Sequence, residues 1–263
     1  MRLAPQTLVC VLLASLTLPS CLSVRADEPA AVGASTSAST AYWFRGAPVN
    51  TAGVLQGDLS TSIPLADGGL LDLAAWGNMA LTNESGDGVE PDGHGMQFTE
   101  VDYVASYTRS FEGFDLSGGL VSYNFPNRIG DSTTEVFGNM LFEAFGLSHT
   151  LSVYYDFDEL DGYYFSWAGG WGMELDERTG VDFGAMLGAM GGDQAEFYFG
   201  SEENGLSDLS LSGTLRHTYD EATTLTATLA YITAIDNDFR DALEANGLDD
   251  DGIVLSVGAA WSF

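Results

Sequence analysis

Apolar and polar side chains alternate with a period of two residues along most of this chain, and this pattern constrains the fold more than any other feature. Clusters of Gly, Asp, Asn and Pro separate about twelve such segments. They lie at residues 36–46, 53–62, 69–81, 97–108, 113–124, 133–143, 147–157, 162–174, 179–188, 206–217, 222–233 and 252–263. The 32 glycines argue against a helical bundle. The sequence therefore predicts an all-β protein.

The last segment indicates which kind of β protein this is. Its apolar positions are Ile253, Leu255, Val257, Ala259, Trp261 and Phe263. Ser256, Gly258, Ala260 and Ser262 lie on the opposite face, as in a wall with lipid on one side and a wet interior on the other. A terminal Phe after such a strand resembles the assembly signal of bacterial outer-membrane barrels. We predict one antiparallel barrel of about twelve strands over residues 36–263, with both termini in the periplasm. Phe263 is expected to be recognised by the barrel-assembly machinery.

The connection lengths agree with this topology. In an even-stranded barrel with periplasmic ends, the odd connections are extracellular and long. The long ones are residues 82–96, 125–132, 189–205 and 234–251, and the short ones are 63–68, 109–112, 144–146, 175–178 and 218–221. The first connection, at residues 47–52, is predicted to be short and is the exception. A helix-like segment at 236–247 is predicted as a short loop helix.

Aromatic residues are expected at the two membrane interfaces, where amphipathic rings collect. The predicted outer girdle contains Tyr42, Phe44, Tyr155, Phe157, Tyr163, Phe165 and Tyr231, and the predicted periplasmic girdle contains Tyr107, Trp171, Trp261 and Phe263. The alternative is that these rings form the core of a soluble β domain.

The amino terminus predicts export. Residues 1–26 contain Arg2, an apolar stretch and small residues before a cleavage point after Ala26. Residues 27–35 then form a short periplasmic lead-in. The alternative is a lipobox that ends at Cys21, with that cysteine lipidated. With ordinary cleavage, Cys10 and Cys21 both leave with the signal peptide, so the mature chain has no disulfide and no thiolate metal site. The expected location is the outer membrane of a Gram-negative cell.

The net charge restricts the partners. All 8 basic residues are Arg, and they face 38 acidic residues. Removal of Arg2 and Arg25 leaves a charge of 6 minus 38, or −32. This disfavours nucleic acid and anionic lipid surfaces as ligands. The expected partners are outer-membrane lipid and small solutes that are cationic or neutral. The sequence does not decide whether the chain forms a homo-oligomer.

The face opposite the apolar one carries the candidate site. The predicted pore-lining and selectivity residues are Arg45, Asp58, Asp72, Glu100, Asp102, Asp115, Glu135, Asp156, Asp182 and Arg216. Gln56, Asn78, Asn139, Tyr154 and Glu174 share that face. A ring of carboxylates in a narrow aqueous path favours cations. The alternative is that the carboxylates pair with Arg45 and Arg216 and plug a small barrel. Glu100 and Asp102 are predicted either as a selectivity site or as an ion pair with Arg45.

Six segments carry a family resemblance. They are YWFRG (42–46), VLQGDLS (54–60), LAAWGNM (73–79), TEVDYVASY (99–107), GLVSYNFP (119–126) and TEVFGNM (134–140). In order and spacing they resemble the TorF-like porins of Gram-negative bacteria. The matched family positions are Tyr42, Arg45, Gly46, Gln56, Gly57, Trp76, Asp102 and Tyr103. The resemblance implies an outer-membrane channel with no catalytic residues. The Lys-free composition and the loop at 82–96 depart from the family, so its solute preference is not carried over.

Other function classes find less support. A hydrolase needs a nucleophile and an orienting group that converge on a histidine, but His94, His149 and His217 lack a G-x-S-x-G or other recognisable partner motif. No cofactor and no metal site is expected. The acidic loops at residues 87–95 and 247–252 either face solvent without a ligand or bind Ca²⁺ or Mg²⁺. The alternatives to a channel are a non-conducting structural or adhesive barrel and, with less support, a lipid-modifying enzyme.

Overall fold

Twelve antiparallel strands close into one barrel in the computed structural model, which describes residues 8–9, 22–23, 30–82, 95–127 and 131–263. The strands are β1 (Ala31–Ser39), β2 (Val54–Pro64), β3 (Leu70–Ala80), β4 (Gln97–Phe111), β5 (Phe114–Asn124), β6 (Thr133–Ala144), β7 (Leu147–Asp156), β8 (Tyr163–Glu174), β9 (Thr179–Met190), β10 (Asp208–Thr218), β11 (Thr223–Ala234) and β12 (Asp251–Ser262). Sequence neighbours pair throughout, and β12 pairs with β1 to close the ring. The prediction of an all-β, twelve-stranded antiparallel barrel is confirmed.

The period-two alternation separates an apolar outer surface from a polar interior. In β11, Leu225, Leu229 and Tyr231 are exposed, whereas Thr228 and Ile232 are buried. The register aligns the outward residues of each strand with the outward residues of its neighbours. Exposed aliphatic and aromatic side chains therefore cover the outside of the barrel. Such a surface is suited to a lipid environment.

The connections differ between the two ends of the barrel. At the long-loop end they are residues 40–53, 81–96, 125–132, 157–162, 191–207 and 235–250. At the short-turn end they are residues 65–69, 112–113, 145–146, 175–178 and 219–222. The barrel also begins and ends at the short-turn end, where the Phe263 amide donates to the Val32 carbonyl at 2.9 Å.

The first connection was predicted wrongly. The first strand starts at Ala31 and ends at Ser39, and residues 40–53 then form a long connection rather than a short one. Within it, Tyr42–Phe44 pairs with Ala47–Asn50 to form what we call the inner hairpin. Tyr42, Trp43 and Phe44 are all buried, because this segment has apolar residues on both faces and packs inside the barrel instead of against lipid.

Two helices fold within the long loops. Helix α1 (Gly192–Phe199) follows β9, and α2 (Asn237–Ala245) follows β11. The sequence predicted α2, whose first turn is capped by the Asp236 side chain, which accepts from the Asp238 amide at 2.9 Å. It did not predict α1. Within the described residues, neither helix has the length and hydrophobicity that crossing a membrane requires.

The predictions on the export signal concern residues 1–26, which lie outside the described part of the chain except for a pairing of Leu8–Val9 with Leu22–Ser23. The cleavage point, the lipobox alternative and the fate of both cysteines stay predictions.

Candidate functional site: a filled barrel interior

The inner hairpin crosses the barrel interior at the long-loop end. Tyr42 packs on Trp76 of β3 with ring centroids 5.6 Å apart, and Phe44 packs on Tyr123 of β5 at 5.8 Å. Trp43 lies on the other side of the hairpin, against Ile232 of β11 and Val254 of β12. The hairpin leaves the wall between β1 and β2 and reaches strands on every side of the interior.

The tip of the inner hairpin is a tight turn. Arg45 and Gly46 both have positive φ, at 50° and 86°, which is the geometry of a two-residue hairpin turn that favours glycine. A Cβ on Gly46 would lie 2.6 Å from the Cβ of Asp208 on β10. The turn therefore needs glycine for its backbone conformation and for its close approach to the wall.

Arg45 is held at that tip in a buried cage. Its Nη1 and Nη2 donate to Oε1 and Oε2 of Glu135 on β6 at 2.7 and 2.6 Å. The guanidinium carbon lies 4.8 Å from the ring centroid of Phe44, 5.0 Å from that of Tyr154 and 4.5 Å from that of Tyr164. Such contacts add cation–π attraction to a bidentate ion pair.

Neighbouring groups complete the surroundings of Glu135. The Tyr123 hydroxyl donates to its Oε2 at 3.0 Å, and the Gln194 amide of α1 donates to its Oε1 at 3.1 Å. Burial alone would lower the pKa of Arg45, but the charge of Glu135 outweighs it and raises the pKa well above its usual value. Arg45 and Glu135 are each 1% exposed. The pair is thus fully charged and shielded from solvent.

The two helices fill the rest of this level. Tyr198 of α1 packs on Phe44, and Phe199 stacks on Phe239 of α2 with centroids 4.7 Å apart. We call the inner hairpin, α1 and α2 together the plug. Every barrel strand places at least one buried, inward side chain at this level: Ser39, Gln56, Trp76, Asp102, Tyr123, Glu135, Tyr154, Tyr164, Met190, Asp208, Ile232 and Val254. The interior at the long-loop end is a packed layer.

The interior at the short-turn end is more open to solvent. There Arg216 pairs with Asp182 at 3.0 Å and with Glu174 at 2.9 Å, and the Glu174 side chain is 64% exposed. Asp115 is partly exposed on the same face. We call this region the vestibule. Its wall carries Asp115, Glu174 and Asp182 beside Arg216.

Apart from Arg45 at the tip of the inner hairpin, the predicted site residues lie on the inward face of the barrel strands, and most contact specific partners. Asp58 accepts from Ser35, and Asp72 accepts from Ser62 and Thr108. Asp156 accepts from the Thr133 hydroxyl at 2.6 Å and from three backbone amides of the loop that follows it. These carboxylates therefore organise the wall and its loops. Their role in selectivity stays a prediction.

Several polar partners share this face. Gln56 donates to Asn78 at 3.0 Å, and Asn139 donates to Ser117 at 3.3 Å. Asp208, Gln194 and Ser207 are buried charged or polar groups that the sequence analysis missed. Asp208 accepts from Ser207 at 2.6 Å and from Tyr164 at 3.2 Å. Asp208 lies within the predicted segment at 206–217 and in phase with the inward Ser210, so the alternation could have identified it.

Glu100 and Asp102 do not provide the ion-pair partner of Arg45, since that partner is Glu135. Both are buried on the inward face of β4. The Oδ1 atom of Asp102 is buried with no hydrogen-bond partner among the described residues. Gly57 and Tyr103, two of the positions matched to the TorF-like family, lie on the outward face.

The girdle prediction needs one correction. Tyr42 and Phe44 belong to the inner hairpin and are buried in the interior rather than at the membrane interface. The remaining outer-girdle residues, Tyr155, Phe157, Tyr163, Phe165 and Tyr231, are exposed near the long-loop end. Trp171 and Phe263 are exposed near the short-turn end.

Comparison with known proteins supports the fold. No family model and no curated protein sequence matches the chain. An outer-membrane channel from Pseudomonas putida F1 matches with a TM-score of 0.54 at 11% identity, over 89% of this chain and 96% of that one. The NanC porin matches with a TM-score of 0.51 at 9% identity, over 88% and 98%. The KdgM porin, solved with disordered oligogalacturonate, matches at 0.48 and 12%, over 89% and 99%.

These similarities define a class by fold alone, because the identities are so low. The chain has the closed antiparallel barrel of outer-membrane proteins, and the structures that it resembles are channels. Membership of the TorF-like family stays a prediction.

Proposed function

We propose that the protein is a porin-like channel of the outer membrane that passes small cationic or neutral solutes, and that its plug occludes the lumen in this conformation. The observation that carries the proposal is the charge of the interior. Glu100, Asp102, Glu135, Asp156 and Asp208 are buried at or beside the plug. Arg45 is the one buried arginine in the described part of the chain.

An acidic path of this kind raises the local concentration of cations and repels anions. The vestibule adds Asp115, Glu174 and Asp182 at the short-turn end, against Arg216. A twelve-stranded barrel is also narrower than the sixteen to eighteen strands of general porins, which favours small solutes.

The proposed orientation places both termini and the short turns in the periplasm and the long loops outside the cell. The export signal predicted from the sequence, the even number of strands and the short turns at the end that holds the termini all support it. We further propose that Phe263 is read by the barrel-assembly machinery.

One observation favours a second candidate, a non-conducting structural or adhesive barrel. The plug packs against the whole ring of strands, and Arg45 and Arg216 both pair with interior carboxylates. A barrel that never opens would act through its loops. The loop at residues 83–94 lies outside the described residues, and in the loop at 247–252 Asp250 pairs with Arg240 at 2.5 Å.

An enzymatic role draws less support from the geometry. His149 lies on the outer surface between the rings of Phe142 and Trp167, and its Nδ1 accepts from the Trp167 indole at 3.3 Å. His217 contacts Thr179 at 3.1 Å. These contacts fix the two rings at the barrel surface, and His94 lies outside the described residues.

The test is the reversal potential of the refolded protein in a planar bilayer under a KCl gradient. We expect discrete steps with a reversal potential of cation-selective sign, and a smaller potential for Glu100→Gln combined with Asp102→Asn. Glu244→Gln, on the exposed face of α2, is the matched control and should leave the potential unchanged. Anion-selective steps would contradict the proposal. A folded barrel that never conducts would favour the structural or adhesive alternative.

A further inference from the structure

The cage around Arg45 has the composition of a binding site for an organic cation. The Glu135 carboxylate accepts two short hydrogen bonds from the edge of the Arg45 guanidinium. The centroids of three aromatic rings lie 4.5–5.0 Å from the guanidinium carbon of Arg45. Two of those rings, Tyr154 and Tyr164, and the carboxylate of Glu135 come from three successive strands of the wall. These three groups are fixed to the wall, whereas Arg45 and Phe44 arrive on the inner hairpin.

A second observation points to a missing hydrogen-bond donor at this level. Asp102 is 2% exposed, and its Oδ1 has no hydrogen-bond partner among the described residues. It lies directly opposite Tyr123 in the pairing of β4 with β5, and the Tyr123 hydroxyl reaches Glu135. A buried unpaired carboxylate oxygen is costly, so a donor that reaches it would be stabilised.

We infer that Glu135, Tyr154 and Tyr164 form a site for small organic cations with a planar guanidinium head, and that Arg45 fills it as a tethered occupant. The inference rests on the proposed function and names the solute class for the same lumen. A planar head is required because the two Glu135 oxygens bind Nη1 and Nη2 side by side, a geometry that an ammonium group does not reproduce.

A tethered occupant competes with the solute for the same groups. Because Arg45 is linked to the wall at both ends of residues 40–53, its effective concentration at the cage is high and the apparent affinity for a free solute is low. Removal of the Arg45 side chain should therefore expose the site to a free guanidinium, as engineered cavities accept small ligands.

The experiment measures thermal unfolding of the detergent-refolded barrel by far-UV circular dichroism while ethylguanidinium is titrated. For Arg45→Ala we expect a rise in Tm of about 3 °C, half-maximal at a concentration at least about tenfold below that for wild type. Ethylurea, a neutral analogue of similar shape, should give no rise. Adding Glu135→Gln to Arg45→Ala should abolish the effect.

Arg216→Ala is the matched control, because Arg216 also pairs with carboxylates but lies in the open vestibule away from the cage rings. Equal shifts for Arg45→Ala and Arg216→Ala, or equal effects of ethylurea and ethylguanidinium, would overturn the inference. If Arg45→Ala does not refold, Arg45→Gln provides a neutral side chain that is too short to fill the cage, and the same outcomes apply.

Failure of this inference is distinguishable from failure of the proposed function, since binding is measured without conduction. If ethylguanidinium binds to Arg45→Ala but the barrel never conducts, the cation site is supported and the channel function is contradicted. If the barrel conducts cations but ethylguanidinium does not bind to Arg45→Ala, the channel function is supported and the cation site is contradicted.

Discussion

The ion pair between Arg45 and Glu135 is buried, with both side chains shielded from solvent. Two charges taken out of water are stable only when each has its partner, and the loss of one partner leaves an uncompensated buried charge. We expect Glu135→Gln to lower the free energy of unfolding by about 3–5 kcal/mol.

Urea titration of the refolded barrel, followed by tryptophan fluorescence, measures this loss. Glu143→Gln is the control, because Glu143 lies on the same strand and is exposed, and its replacement should change stability by less than about 0.5 kcal/mol. Equal effects of the two replacements would show that the pair contributes nothing beyond a surface charge.

Three short turns share a second residue-level device. In each, an aspartate side chain accepts a hydrogen bond from the amide two residues further on: Asp67 from Gly69, Asp176 from Arg178 and Asp220 from Ala222. These bonds lower the pKa of all three carboxyls, with Tyr107 also donating to Asp67. The turns are therefore held best when the aspartates are ionised.

A lowered pKa in the folded state stabilises the protein above the pKa of the unfolded state, about 3.9, and that stability is lost as the pH falls through the folded-state value. We expect the wild type to be more stable at pH 6 than a triple variant in which Asp67, Asp176 and Asp220 are replaced by Asn. The difference should shrink towards pH 3. Urea midpoints at both pH values test this, and a difference that grows on acidification would contradict it.

The inward positions could be predicted from sequence, but their partners could not. Alternation alone places Asp58, Asp102 and Glu135 on one face, because side chains in a strand alternate strictly between faces. The partner of Arg45 is 90 residues away along the chain. That contact depends on ring closure and on the inward path of residues 40–53, neither of which a local pattern encodes.

Among the elements, the inner hairpin shows where the pattern fails. A period of two residues is common to a membrane strand and to a hairpin in the interior, so YWFRG was predicted as part of a strand over 36–46. Two signals indicate otherwise: the run Tyr42–Phe44 is apolar on both faces, and Arg45–Gly46 suits a tight turn. The true first strand, AVGASTSAS, consists mostly of small residues with weak alternation and was therefore predicted in part as a lead-in.

The strands themselves allow a test of their lipid-facing surface. Leu229 lies near the middle of β11 on the outer face and is 57% exposed, and Leu225 lies on the same face nearer the short-turn end. We expect Leu229→Arg to destabilise the barrel in lipid by about 2–4 kcal/mol, and Leu225→Arg by about 0–1 kcal/mol, because the cost of a charge falls towards the interface.

Urea unfolding in phospholipid vesicles measures both variants against wild type. Equal and small costs at the two depths would contradict a membrane around β11, since a water-facing surface would accept either arginine.

At the scale of the whole molecule, the two ends of the barrel differ in packing as well as in loop length. The long-loop end is packed by the plug around the buried Arg45, and the short-turn end opens into an acidic vestibule. A solute that enters the vestibule meets the plug before it can cross. We therefore propose that the inner hairpin controls passage of solutes through the barrel.

Single-channel conductance, compared between wild type and a variant in which residues 41–51 are replaced by a short Gly-Ser turn, tests that claim most directly. Folding of both proteins is first confirmed by their β-sheet circular dichroism. We predict rare, small steps for wild type and steady steps of severalfold larger conductance for the shortened variant, both cation-selective. Equal conductance of the two proteins, or none from either, would contradict the account.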